Sequence, residues 1–240
     1  MNKISNFIKA ELSGWSDKEK IMYSLIILIV IGLSLSINDS RVAMLHAIFG
    51  ILATILAGKG KISCYIIGTF GVLCYSYLAW KNALWGTLGL QLLYYLPMEF
   101  IGIYYWKEHL KEDTKEVKKT KLSTKERWLT GIGAVLVSVI LGFLLMLWKD
   151  KFPFPDAFVT VLPIIAFYLT VKRCIEQWVV WTIVNGINIV MWLIIFINEG
   201  NYLATLLTWF IYFCFGIYFL FKWKKELDLE FDNLGQEVKE

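Results

Sequence analysis

The charged residues of this chain fall in a few short stretches, and between them lie apolar runs long enough to cross a lipid bilayer. A run of about 18 or more apolar residues reaches across the ~30 Å hydrocarbon core. No water is available there to satisfy backbone N–H and C=O groups, so only helices and closed barrels span it. Barrel strands would alternate apolar and polar residues, and these runs do not alternate. At 58% hydrophobic and 18% charged, the chain is more apolar and less charged than an average soluble domain.

The spacing predicts an all-α integral membrane protein of about eight transmembrane helices. The spans are Ile21–Ile37, Val42–Gly58, Ile62–Trp80, Leu84–Trp106, Trp128–Trp148, Ala157–Val171, Trp178–Ile197 and Tyr202–Trp223. Indole and phenol rings at many of these ends suit the headgroup level. Residues 1–20 precede the first span, and Ile4, Phe7, Ile8, Leu12 and Trp15 recur there at helical spacing, with lysines around them. That pattern reads as a short helix lying on the membrane surface. Lys and Arg are sided: 20 of the 24 fall in connections on the same side as the N-terminus. The positive-inside rule places both termini in the cytoplasm, and the expected location is the plasma membrane.

The end of the fourth span, FIGIYYWKEHLKE from Phe100, is echoed by CFGIYFLFKWKKE from Cys214, with Gly102-Ile-Tyr104 matching Gly216-Ile-Tyr218. An internal repeat of three spans follows. Residues 42–106 form the first three-helix repeat and 157–223 the second. Residues 107–127 are a charged, solvated linker, 128–148 a linker helix that restores direction, 21–37 an extra helix in front, and 224–240 a tail. Parallel repeats of this kind are one plan for carriers, with substrate near mid-membrane between the halves.

Polar groups inside lipid are costly, which makes them the places to look for function. Trp178, Trp181, Asn185, Asn188 and Trp192 follow steps of three and four on one helical face. Indoles offer a stacking wall and amides offer donors and acceptors to a flat polar ring; the same residues also serve as helix–helix glue. Gln91, Tyr95 and Glu99 share a face of the fourth span with Tyr94 nearby, and Pro97 frees a carbonyl and bends that helix. Thr208, Trp209 and Tyr212 are the counterparts on the eighth. His46 reads as a hydrogen-bonded structural residue. The four cysteines form no C-x-x-C pair. No enzyme motif, metal cluster, cofactor site or nucleic-acid-binding pattern emerges, and Gly58-Lys59-Gly60-Lys61 fails the spacing of a phosphate loop.

The Trp178-x-x-Trp181-x-x-x-Asn185 stretch resembles that of PnuC-type vitamin transporters, as does Gln91-x-x-Tyr94 followed by Gly102-x-Tyr104-x-Trp106. The resemblance covers the second to eighth spans. It implies a three-one-three plan like that of the SWEET carriers, assembled as a homotrimer. It implies facilitated uptake of nicotinamide riboside, trapped by phosphorylation in the cytoplasm, with Gln91, Tyr94, Trp178, Trp181 and Asn185 as substrate contacts. Similar proteins take thiamine, riboflavin or deoxynucleosides. Pro97-Met98-Glu99 departs from the pattern, with an acid in place of a neutral residue; nicotinamide riboside and thiamine are both cations, which suits an acid there. A proton-coupled carrier, a non-transporting sensor and a membrane-embedded enzyme are the competing readings.

Overall fold

The computed structural model describes residues 5, 9–11, 13–36, 40–81, 85–112, 114–149, 152–199 and 203–237, of which 85–87, 199, 203–204 and 230–237 are described by their backbone alone. It is helical in the manner the apolar runs require. The helices are α1 (Asp17–Ser36), α2 (Arg41–Gly58), α3 (Ser63–Lys81), α4 (Trp85–Leu90), a π-helical turn (Gln91–Tyr95), α5 (Leu96–Lys107), α6 (Thr124–Leu147), α7 (Pro153–Val171), α8 (Glu176–Glu199) and α9 (Leu203–Glu237). Seven of them, all but α4 and α5, are long and apolar enough to cross a membrane. The fourth expected span, Leu84–Trp106, is continuous from α4 through the π turn to α5. Pro97 has no N–H to give the carbonyl of Leu93, and the Leu96 N–H bonds back to Gln91, five residues away rather than four. One turn is thereby widened, so the simple i, i+4, i+8 face drawn through Gln91, Tyr95 and Glu99 is re-registered.

The chain forms two compact units, residues 1–118 and 119–240. In the first, α2 packs between α1 and α3, and α3 meets the π turn and α5. In the second, α6, α7, α8 and α9 pack in sequence order. Apolar side chains face outward along α6, where Ile132, Leu136 and Ile140 are each more than half exposed. Such a stripe would be a liability in water and is the ordinary surface of a helix in lipid.

Two boundaries extend past the apolar runs for polar reasons. α6 starts at Thr124 because Ser123 and Glu126 close a reciprocal capping box. α9 continues past Trp223 into the expected tail, where Lys119 pairs with Glu226.

The 107–127 segment is largely exposed, as expected of a solvated linker, but it is pinned to the protein at particular residues. Among its described residues, Leu110 and Val117 pair as an antiparallel bridge, and Val117 is fully buried. The Val117 N–H donates to Gly60 O at 2.8 Å in the first unit. In the second, the Thr120 N–H donates to Arg173 O, and the Ile175 N–H to Thr120 O, both at 2.9 Å. Gly60 and Arg173 occupy the same turn position after α2 and α7, both with positive φ, at 68° and 63°. Each half of the segment therefore straps the equivalent turn of its own unit.

In the N-terminal segment, expected as a surface helix, residues 5 and 9–11 are helical. Ile4, Phe7, Ile8 and Leu12 lie outside the described residues. The described part is tied to the α2–α3 turn. Lys59 Nζ donates to Gly14 O and to Glu19, and Ser63 donates to Glu11. Trp15 meets Tyr23 edge-on at 5.6 Å. Lys61 is fully buried, and its ammonium donates to Ala10 O, Ser13 Oγ and Thr114 O beside Glu116. Burial lowers its pKa, and the Glu116 and Glu11 carboxylates oppose that fall. Lys61→Met is expected to cost about 3 kcal/mol, because the accepting oxygens lose their donor and Glu116 loses its counter-charge. Thermal unfolding in detergent checks this, and a variant as stable as the parent would contradict it.

Candidate functional site

The polar residues of the fourth, seventh and eighth spans are the candidates, and each unit presents its own set. On α8, Trp178 and Asn185 are 3% and 4% exposed, Asn188 is buried, and Trp181 is half-buried. Their environments differ. The Trp178 ring packs against Phe219 at 5.0 Å and edge-on to Trp223 at 5.8 Å, and its indole N–H is buried without a partner. Much of the Trp178 ring is thus committed to an aromatic cluster on α9. The Trp181 N–H reaches Thr170 Oγ1 on α7 at 3.5 Å. The Asn188 amide donates to Val184 O on its own helix at 3.0 Å. Asn185 makes no hydrogen bond to the described residues. A buried amide left unpaired costs about 1–3 kcal/mol, so the position suits a partner from outside the described residues.

In the first unit, Gln91 and Glu99 are buried, Tyr94 and Tyr95 half-buried. The two tyrosine rings meet edge-on at 5.1 Å. Gln91 sits at the start of the widened turn, a feature that recurs at functional sites. Neither Gln91 nor Glu99 has a hydrogen-bond partner among the described residues. The Glu99 carboxylate lies against Gly68 of α3 so closely that a Cβ at Gly68 would overlap it. On α9, Trp209 and Tyr212 are half-buried, with ring centroids 6.2 Å apart. The second unit brings its candidates onto the neighbouring helices α8 and α9, and the first carries all four on the continuous π turn and α5.

His46 is structural in its surroundings, with Nδ1 at 3.1 Å from Gly71 O and its ring stacked on Tyr75 at 4.7 Å. Lys59 and Lys61, set aside with the failed phosphate loop, are the clasp of the N-terminal segment. Two groups escaped the sequence reading, one of them buried. Gln177 is 1% exposed with its Nε2 unpartnered; it sits beside Trp178 at the edge of an apolar run, where a lone amide was a detectable signal. Gly68 was not detectable, because its role exists only once α3 lies against α5.

Membrane-length helices, one further span interrupted by a widened turn, and buried Asn185, Gln91 and Glu99 side chains that make no hydrogen bond to the described residues fit a polytopic membrane transporter. The chain belongs to the nicotinamide mononucleotide transporter family, whose model matches residues 40–225. It is 32% identical over 225 residues to the nicotinamide riboside transporter PnuC of Neisseria mucosa, covering 90% of this chain and 85% of that one. It is also 32% identical over 183 residues to the protein of that name from Haemophilus influenzae, covering 75% and 81%. A crystal structure of the vitamin B3 transporter PnuC matches with a TM-score of 0.73 and 31% identity, covering 92% of this chain and 96% of that chain.

Proposed function

We propose that this protein carries nicotinamide riboside across the plasma membrane by facilitated diffusion, through alternating access of two parallel three-helix repeats. The observation that carries the reading is Asn185, a buried residue whose side chain makes no hydrogen bond to the described residues, on the helix of the Trp178-x-x-Trp181-x-x-x-Asn185 stretch, in a chain alike over nine-tenths of its length to a nicotinamide riboside transporter. A substrate amide or hydroxyl would supply the partner that Asn185 lacks. Half-buried Trp181 supplies a ring face for stacking, and Trp178, Asn188, Trp209 and Tyr212 are proposed with it. Gln91, Tyr94, Tyr95 and Glu99 are the proposed contacts in the first unit. Glu99 favours a cationic ring, because a carboxylate in lipid is stabilised by an opposite charge.

The repeat is supported by its two matching glycines. Gly102 lies against Tyr65 of α3, and Gly216 against Thr182 of α8, each leaving no room for a Cβ. The charge asymmetry supports cytoplasmic termini, and family likeness supports a homotrimer. The chain does no covalent chemistry in this reading.

Uptake of radiolabelled nicotinamide riboside into proteoliposomes tests the proposal, with thiamine, riboflavin and a deoxynucleoside as competitors. Saturable uptake, competed best by unlabelled nicotinamide riboside and indifferent to an imposed pH gradient, is expected. Uptake that requires the gradient would replace facilitated diffusion with proton coupling. Tight binding without any entry into sealed vesicles would make the protein a sensor.

A further inference from the structure

The second unit contains a crevice of about 820 Å³ that none of the proposed substrate residues lines. Its walls come from α6, α7, α8 and α9, and it runs along α8 from Glu176 to Ile187. At ~1.5 Å per residue that is roughly 16 Å, about half of the ~30 Å hydrocarbon core and hence one leaflet. The two ends differ in chemistry. The mouth carries Lys121, Arg127 and Lys224 against Glu176 and Asp228. Arg127 and Glu176 neutralise each other at 2.7 Å. Lys224 makes no ion pair among the described residues, and the mouth is left with one net positive charge. Beyond Thr130 every lining side chain is apolar, including Leu162, Ile165, Val180 and Ile183.

A polar vitamin would find no donor or acceptor in that depth. The space is nonetheless open on the α6 side: a Cβ added at Gly131, which lines the crevice, would meet nothing within 4 Å. A mouth with one uncompensated positive charge, at the polar end of an aliphatic slot one leaflet deep, matches a single molecule type. We propose that the crevice binds one anionic phospholipid, its phosphate at Lys121 and Lys224 and an acyl chain along α8. Basic side chains at the membrane surface attract anionic headgroups, and burial of acyl methylenes against the slot adds to the affinity.

The test is binding rather than transport, so its failure is separable from failure of the uptake assay. The full chain is purified in detergent, depleted of lipid, and titrated with phosphatidylglycerol or phosphatidylcholine. Native mass spectrometry counts retained lipid, and thermal unfolding reads stabilisation. One phosphatidylglycerol per chain and a rise in Tm are expected, with at least tenfold weaker binding of phosphatidylcholine. Gly131→Phe, which fills the slot while leaving helix packing undisturbed, should remove both the retained lipid and the rise in Tm. The double variant Lys121→Gln, Lys224→Gln should bring the two lipids to equal, weak affinity. Retention unchanged in Gly131→Phe overturns the proposal, as does a parent protein that binds both lipids alike. A lipid-free oligomer that Gly131→Phe dissociates would assign the crevice to a second copy of the chain and overturn it equally.

Discussion

Alanine at position 102 should destabilise the protein by about 3 kcal/mol, at the upper end of what overpacking costs. The new methyl would overlap the ring of Tyr65, which is 1% exposed and held edge-on at 5.0 Å by a fully buried Trp106. Neither ring has space to retreat. Gly216→Ala, at the matching position of the second unit, should cost only about 1 kcal/mol, roughly one net hydrogen bond. There the obstacle is the Thr182 hydroxyl, which donates to Trp178 O at 2.6 Å and can rotate away by giving up that bond. The remedies differ accordingly. Thr182→Ala should rescue Gly216→Ala nearly completely, whereas trimming Tyr65 to Leu in the Gly102→Ala background exchanges the clash for a cavity and recovers only part of the loss. Unfolding in detergent micelles reads both cycles. Equal costs at 102 and 216, or no coupling to Tyr65 and Thr182, would mean that the helices do not cross at these glycines.

Asn185→Leu should lower uptake of nicotinamide riboside about 100-fold while leaving the protein folded. The two side chains are nearly equal in size, and Asn185 bonds to no described residue, so the exchange disturbs packing little and removes what the substrate would pair with. A lost hydrogen bond and a stranded substrate polar group together amount to about 2.7 kcal/mol, which is that factor. Asn188→Leu is the informative control. Its amide is already satisfied by Val184 O on the same helix, so its effect on uptake should stay within about fivefold, the size of one modest net hydrogen bond. Equal loss at both positions would show that the amides serve α8 itself, and parent-like uptake by Asn185→Leu would remove that residue from the site.

Much of this molecule is legible in one dimension because lipid is an unforgiving solvent. Wherever about 18 apolar residues stand together the backbone must close its own hydrogen bonds, so the helices from α1 to α9 follow from composition alone. The inward placement of Asn185, Asn188, Gln91 and Glu99 follows from the same cost, since polar groups in lipid turn toward protein. Partners are another matter, because helical spacing says which residues share a face and nothing about what lies opposite. Trp178 and Trp181 are equivalent by spacing, yet one ring is packed against Phe219 and Trp223 while the other donates to Thr170. The widened turn at Gln91–Tyr95 needed Pro97 and a place for α5 against α3 together.

Charge density misleads most where the chain leaves the membrane. Residues 107–127 are rich in Lys and Glu and look solvated, yet Val117 and Lys119 are buried, because the backbone of each half finds the turn of its own unit. Lys59 and Lys61 likewise look like orienting charge and are instead interior donors to the N-terminal segment. Sequence alone determined that this chain crosses the membrane as helices and which polar residues lipid would reject, since both are local costs of solvation. Only the tertiary structure decided which of those residues are already satisfied by neighbours and which make no bond to the described residues, because a hydrogen-bond partner is a fact about distance in space.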